Sequence, residues 1–182
     1  MKCTSCKTGD LERTFIDGLF EAKTCTHCGG NWILVEHYVA WKERNPNHEF
    51  DVDQDFTISE TSTAMLCPVS GIIMRKLKIG DDSSHRVDYS AAVGGVWLDS
   101  GEWELLKKKG LAGSLNNILT AVWQRNIQLN TTHKNLSEVY KNKFGDENYQ
   151  KVKAFREWLI EQPNKTDLKA YINAEDPYSA IK

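Results

Sequence analysis

Across its 182 residues the chain has no apolar run approaching the ~20 residues needed to cross a bilayer. Its first stretch, MKCTSCKTGD, has no apolar core of the kind a signal peptide carries. Charge of either sign is not in excess: the formal balance is −2, which favours neither a phosphate-backbone footprint nor a basic membrane-binding face. Cysteine is scarce at five, and without an export signal five cysteines point to a metal site or free thiols before disulfides. Also absent is any Cys–His, Ser–His or paired-carboxylate pattern beside a glycine-rich loop, so no enzyme is expected. What remains is 40% hydrophobic and 26% charged, the make-up of a globular chain with room for one ordinary domain or two small ones. A cytoplasmic protein is the expectation.

The cysteines themselves are ordered. Cys3-x-x-Cys6 and Cys25-x-x-Cys28 are two knuckles eighteen residues apart. Each knuckle can aim two sulfurs at one point, and two knuckles complete a tetrahedron around zinc at ~2.3 Å. One Zn²⁺ per chain, held by Cys3, Cys6, Cys25 and Cys28, is the expected cofactor. Rubredoxin-like iron and a redox dithiol are the alternatives, although a dithiol needs only one pair. His27, inside the second knuckle, is expected to point outward, since four sulfurs already fill a zinc shell. Lys2, Lys7 and Lys23 offset the excess negative charge of the thiolates, which would bring the loaded protein nearer −4. Between the knuckles, Leu11, Thr14, Ile16 and Phe20 have strand tendency, and Asp17-Gly18 predicts a two-residue hairpin turn. After Gly29-Gly30, the spacing of Ile33, Leu34, Tyr38 and Trp41 predicts one face of a short helix, ended by Asn45-Pro46.

A second stretch repeats this layout without its ligands. Cys67 falls on Cys3, Ser70 on Cys6, Ser90 on Cys25 and Val93 on Cys28, and Gly94, Gly95 and Trp97 repeat Gly29, Gly30 and Trp32. One thiol, two hydroxyls and a valine cannot make a tetrahedral zinc site. Apolar packing of Val93, Trp97 and a hairpin is expected to replace the ion, with Cys67 a small buried residue and His85 outside any ligand set. Ile72, Met74, Leu77 and Ile79 alternate as strand residues before an Asp81-Asp82-Ser83-Ser84 turn. Asp99 and Glu102 form a capping-box pattern ahead of a helix whose Leu105 and Leu106 face the core, with Lys107, Lys108 and Lys109 at its negative end.

"KCTSC…CTHCGGNW" and "LCP…VGGVWLDSGEWELL" resemble the zf-TFIIB (transcription-factor-IIB-type) zinc-ribbon family of bacterial proteins. The first unit keeps the ligands but has "ILVEHYV" where the family has "LDxGEL"; the second keeps the late half and loses three of four ligands. The resemblance spans about residues 1–110. It implies a small zinc-binding module, no reaction and no defined DNA site.

The segment NPNHEFDVDQDFTISETSTA carries Glu49, Asp51, Asp53, Asp55 and Glu60, lacks the glycine and closing glutamate of a calcium loop, and reads as a solvated connection. From Ser114 onward the chain reads helical. Leu115, Ile118, Leu119, Val122, Trp123 and Ile127 form one apolar face; Leu136, Val139, Tyr140 and Phe144 form another, stopped by Gly145. Asp146 opens a third helix, with Tyr149, Val152, Phe155 and Leu159, stopped by Pro163, and Thr166 caps a fourth with Leu168, Tyr171 and Ile172. These aromatics are expected in a core, the alternative being a groove for a partner's helix.

The reading is therefore α+β: tandem zinc-ribbon-like β-hairpin units, each followed by a short helix, then a helical C-terminal region. Its expected stretches are a zinc ribbon over 1–45, an acidic linker over 46–64, a metal-free ribbon over 65–110 and a helical region over 111–182. The expected role is a non-catalytic adaptor for an unidentified protein partner. A nucleic-acid-associated regulator is the second reading, disfavoured by charge, and a redox carrier the third. No membrane association is expected, and the oligomeric state is left open.

Overall fold

The computed structural model describes residues 1–52, 55–59, 61–81 and 84–179. Asp53 and Glu60 of the acidic segment, and Asp82 and Ser83 of the second expected turn, lie outside the described residues. The fold is mixed α+β, with antiparallel hairpins followed by helices and then a helical region. Two compact units divide it, residues 1–130 and 131–182.

The first unit is built on one six-stranded antiparallel sheet. Its strands are β1 (Leu11–Ile16), β2 (Phe20–Cys25), β3 (Asn31–Leu34), β4 (Arg75–Lys78), β5 (Arg86–Ser90) and β6 (Gly95–Leu98). They lie in the order β1-β2-β3-β6-β5-β4, so that two three-stranded sets meet back to back at β3 and β6. Each set is a hairpin plus one strand. The first hairpin turns through three residues, one more than expected, with Asp17 and Gly18 at positive φ and Ile16 paired with Phe20.

The third strand of each set is the main departure from the sequence reading. Ile33 and Leu34 were expected on a helix, yet both lie in β3, and α1 (Val35–Arg44) begins only at Val35. A residue with an apolar neighbour on each side reads equally as helix or as a strand covered on both faces. Here tertiary pairing decides: Trp32 opposes Trp97 and Ile33 opposes Val96 across the β3–β6 seam. Alternation then sends Ile33, Val96 and Leu98 to one face and Trp32 and Trp97 to the other.

On the first face, α1, α2 (Glu102–Lys108) and the short α3 (Leu115–Ile118) cover a core of Phe20, Ile33, Tyr38, Trp41, Leu77, Val87, Trp103 and Leu106. Phe20 touches Tyr38, Trp41 and Trp103 with ring centroids 5.4 Å apart. The Tyr38 hydroxyl donates to the Ala112 carbonyl at 2.8 Å and accepts from the Leu115 amide, tying α1 to α3. From α2, the Trp103 indole and the Lys107 ammonium both reach the Asp17 carboxylate, at 2.8 and 3.0 Å, so the second half grips the first hairpin's turn. On the opposite face Trp32, Trp97, Met65, Met74 and Cys67 pack with the sulfurs of the first knuckles.

Local geometry repeats between the halves. The Lys7 amide donates to the Cys3 carbonyl and the Gly71 amide to the Cys67 carbonyl; the Gly29 amide donates to the Cys25 carbonyl and the Gly94 amide to the Ser90 carbonyl. Lys7 and Gly71 share positive φ, as do Gly29 and Gly94. Gly30 lies under the Trp97 ring and Gly95 under the Trp32 ring, each so closely that a Cβ would overlap the indole. The backbone around Cys67 and Ser90 thus follows that around Cys3 and Cys25, with serine and valine in place of three of the cysteines. Val93 packs beside that cluster and Cys67 is buried, as expected; burial pushes the Cys67 thiol up, but the Ser70 and Ser90 hydroxyls outweigh it and leave it lowered.

Other expectations are corrected. Ile72 is exposed, and the strand holds only residues 75–78. The capping pattern is half made: the Glu102 carboxylate accepts from the Asp99 amide at 2.8 Å, but the Asp99 carboxylate serves Trp97 Nε1 and the Thr61 amide, leaving Gly101 as the N-cap residue. The acidic segment is anchored, because Phe50, Phe56 and Ile58 alternate with its charges and pack on the core. The Ser59 amide bonds the Ser100 carbonyl, and Thr61 links its backbone to Asp99 and Lys76 and its hydroxyl to Ser5.

The helix α4 (Ala121–Phe144) runs unbroken through two expected segments, the break falling instead at Leu119-Thr120. Trp123 and Ile127 pack into the first unit, whereas Val122 is exposed. In the second unit, Gly145 at φ 78° stops α4, and α5 (Asp146–Glu161) and α6 (Lys165–Asn173) follow near the expected bounds. Asn164, not Thr166, is the α6 N-cap residue. The expected core does not form there: Leu159 is buried, but Leu136, Val139, Tyr140, Phe144, Val152, Phe155, Tyr171 and Ile172 are exposed.

Candidate metal centre

The hairpin of β1 and β2 sets the centre. Leu11 pairs with Cys25, so the knuckle before β1 and the one after β2 meet at the same end of the ladder. Sulfurs of Cys3, Cys6, Cys25 and Cys28 all lie within 4.8 Å of one another. The Cys3–Cys28 and Cys6–Cys25 separations are 3.8 and 3.6 Å. A tetrahedron with 2.3 Å metal–sulfur bonds has edges of about 3.8 Å, so the donor set and its spacing fit a zinc-sized ion. None of the five cysteines is in a disulfide. Among the described residues no other group of three or more His, Cys, Asp or Glu side chains gathers in this way, and His85 joins none.

The protein supplies donors to the sulfurs. The Gly9 amide and the Thr8 hydroxyl reach Cys6 Sγ, both at 3.4 Å, and the His27 and Cys28 amides reach Cys25 Sγ at 3.4 and 3.5 Å. The Thr8 hydroxyl, followed by the Gly9 and Thr8 amides, holds the Cys6 thiol down at about 5. Burial pushes Cys28 up to about 12 and also raises Cys3. One thiolate is thus stabilised by the fold, and the buried thiols give up their protons as an ion binds. Cys3 and Cys25 are buried, Cys6 and Cys28 half-buried. A four-sulfur shell has no open position for a substrate, which marks the structural type of site.

The four cysteines singled out in the sequence do gather, and the groups that support them were not anticipated. Thr8 and Gly9 act through a hydroxyl and an amide, and a Cβ at Gly9 would overlap the Cys25 sulfur and the His27 side chain. That close approach is the physical signal behind a glycine three residues after a knuckle cysteine. The His27 side chain is exposed, and only its amide serves the centre. Lys2 pairs with Asp10 at 2.9 Å, holding that carboxyl below its usual range.

Compared with known families, residues 2–44 match the model described as a transcription factor zinc-finger, the zinc ribbon of TFIIB type. The match covers less than a quarter of the chain and ends with α1. Neither the curated proteins nor the solved structures gave a match. The N-terminal module is therefore a zinc-ribbon-like unit with a four-cysteine cluster able to hold a metal ion. Among the described residues no helix is long and apolar enough to cross a membrane.

Proposed function

We propose that the chain is a zinc-stabilised, non-catalytic adaptor that binds another protein through the helices of its second unit. Cys3, Cys6, Cys25 and Cys28 hold one Zn²⁺, and the second three-stranded set is a ribbon copy that has shed its ligands. Supporting the copy are the shared knuckle bonds, the shared positive-φ positions and the reciprocal glycine–tryptophan packing. The zinc ribbon over 1–45 and the metal-free ribbon over 65–110 then act as one scaffold. A reducing cytoplasm suits five unpaired thiols.

The observation that carries the reading is the uncovered apolar surface of α4 and α5. Leu136, Val139, Tyr140 and Phe144 recur at helical spacing and stay exposed, with Tyr140 stacked on Phe144. Phe155 and Trp158 do the same on α5. Exposed apolar faces of this extent mark protein-binding surfaces, and i, i+3, i+4 anchors suit an amphipathic partner helix. Against the nucleic-acid reading, the Lys107–Lys109 run has less charge to offer than its sequence suggests, since Lys107 is buried and paired with Asp17 and Glu104 at 3.0 and 2.8 Å.

The test is affinity capture from native lysate with the full chain, its Val139→Glu/Phe155→Glu variant and a Lys151→Glu control. A protein retained by wild type and control, but lost by the double variant at unchanged helicity, supports the reading. Capture indifferent to the double variant refutes it.

A further inference from the structure

The first unit contains a cationic cleft whose lining includes none of the four cysteines and none of the apolar residues 136–158 assigned above to a protein partner. It opens between the edge strand β4 and the first turns of α4, with a volume of about 420 Å³, inside the range of small-molecule sites. Arg75, Lys78, Arg86 and Arg125 line it, which places three of the chain's six arginines around one cleft in a protein of net charge −2. Among the described residues none of these four cations has a carboxylate at ion-pair distance.

Their placement is costly to the fold. Lys78 and Arg86 stand directly opposite each other in the β4–β5 ladder, and like charges in that position repel. Two residues along, the same ladder shows a neutralised alternative: Lys76 opposes Asp88, with Nζ 2.9 Å from the carboxylate. The cleft walls are held in place. Gln124 Nε2 donates to the Lys78 carbonyl at 2.8 Å, and the Lys78 amide donates to Gln124 Oε1 at 3.1 Å, so one side chain closes the open strand edge and pins α4 against it. The buried side chains of Leu77 and Ile127 border the same space. Three guanidinium groups and an ammonium lining one cleft offer the planar, multi-donor chemistry that recognises phosphate.

We propose that this cleft binds a small phosphate-bearing ligand. A small ligand fits better than a nucleic acid, because an extended polyanion would leave the cleft and meet a net-negative protein. The site is independent of the adaptor reading and stands or falls without it.

The experiment titrates the zinc-loaded full chain with inorganic pyrophosphate, followed by calorimetry and amide chemical shifts. Variants are Arg86→Glu and Arg125→Glu, with Lys151→Glu as control. Expected are saturable one-to-one binding, shifts confined to residues 75–78, 86 and 121–128, and at least a tenfold loss of affinity in either cleft variant. Arg86→Glu should melt no lower than wild type, since it places an opposite charge across from Lys78; that separates ligand binding from a structural role. Absence of saturable binding, or binding equal in all variants, overturns the proposal. So does a single-stranded oligothymidylate that binds more tightly than pyrophosphate and loses its affinity on Arg86→Glu, which would make the cleft a nucleic-acid contact.

Discussion

Substituting Gly95 by alanine tests the seam on which the first unit is built. The added methyl would fall on Cζ2 and Cη2 of the Trp32 indole and 3.0 Å from its Cε2, whereas carbon atoms rest at about 3.5–4.0 Å. The ring would have to retreat by about 1 Å or more. It has no room: Trp32 is 2% exposed and packed among Cys3, Leu11, Cys25 and Met65. Overpacking of this kind costs up to about 3 kcal/mol. For a cooperative unit of this size that lowers the melting temperature by about 10 °C. Gly94→Ala is the comparison, because Gly94 has positive φ with nothing near its Cβ position, so only backbone strain of about 1–2 kcal/mol applies. Trp32→Phe should partly rescue Gly95→Ala and leave Gly94→Ala unrescued. Urea unfolding of wild type, the three single variants and the two double variants at saturating zinc, read by far-ultraviolet circular dichroism, gives the coupling energies, expected above about 1 kcal/mol for the Trp32–Gly95 pair. A coupling of zero would mean that the ring and the glycine do not meet, and the seam as described would be wrong.

Two further outcomes are expected. Elemental analysis should find one zinc per chain and none in Cys25→Ser; because both three-stranded sets share one sheet, loss of the ion should unfold residues 1–130 together while the helicity of 131–179 persists, and a variant that keeps its zinc refutes the four-cysteine site. Asp88 is raised by burial, which outweighs the Lys76 ammonium, and further by Asp99. The folded state therefore keeps that proton at pH values where the unfolded chain has lost it, so this group's contribution to stability falls as pH rises through the range just above the ordinary aspartate value. Asp88→Asn should remove that fall; urea midpoints compared between the two proteins across that range isolate it from the acid sensitivity of the thiolates, and identical slopes would refute the assignment.

How far the sequence could be read follows from the range of the forces involved. Knuckle spacing and turn glycines act within a few residues, so the four cysteines, both hairpins and the stop at Gly145 were legible. Ile33 and Leu34 were not, since their strand exists only because β6, over sixty residues away, pairs with it. The same holds for Asp99, whose carboxylate answers Trp97 and Thr61 in place of its own helix. The supports of the metal centre went unread because an amide or a hydroxyl leaves no ligand signature in a sequence. The aromatic tail was misjudged in the other direction: helical periodicity shows which residues share a face but not whether anything covers it.

The β3–β6 seam has one more consequence, for concentration. Two separate three-stranded sets meeting through the same edge would form a dimer that falls apart on dilution. Joined within one chain, the two sets face each other at an effective concentration set by the connecting segment, so the seam survives dilution. Tethering also breaks the lockstep between copies. In a dimer of identical chains every substitution appears in both halves, and losing one knuckle's ligands loses both ions. Here the first set carries Cys3, Cys6, Cys25 and Cys28 where the second carries Cys67, Ser70, Ser90 and Val93, a difference that two identical chains could not hold.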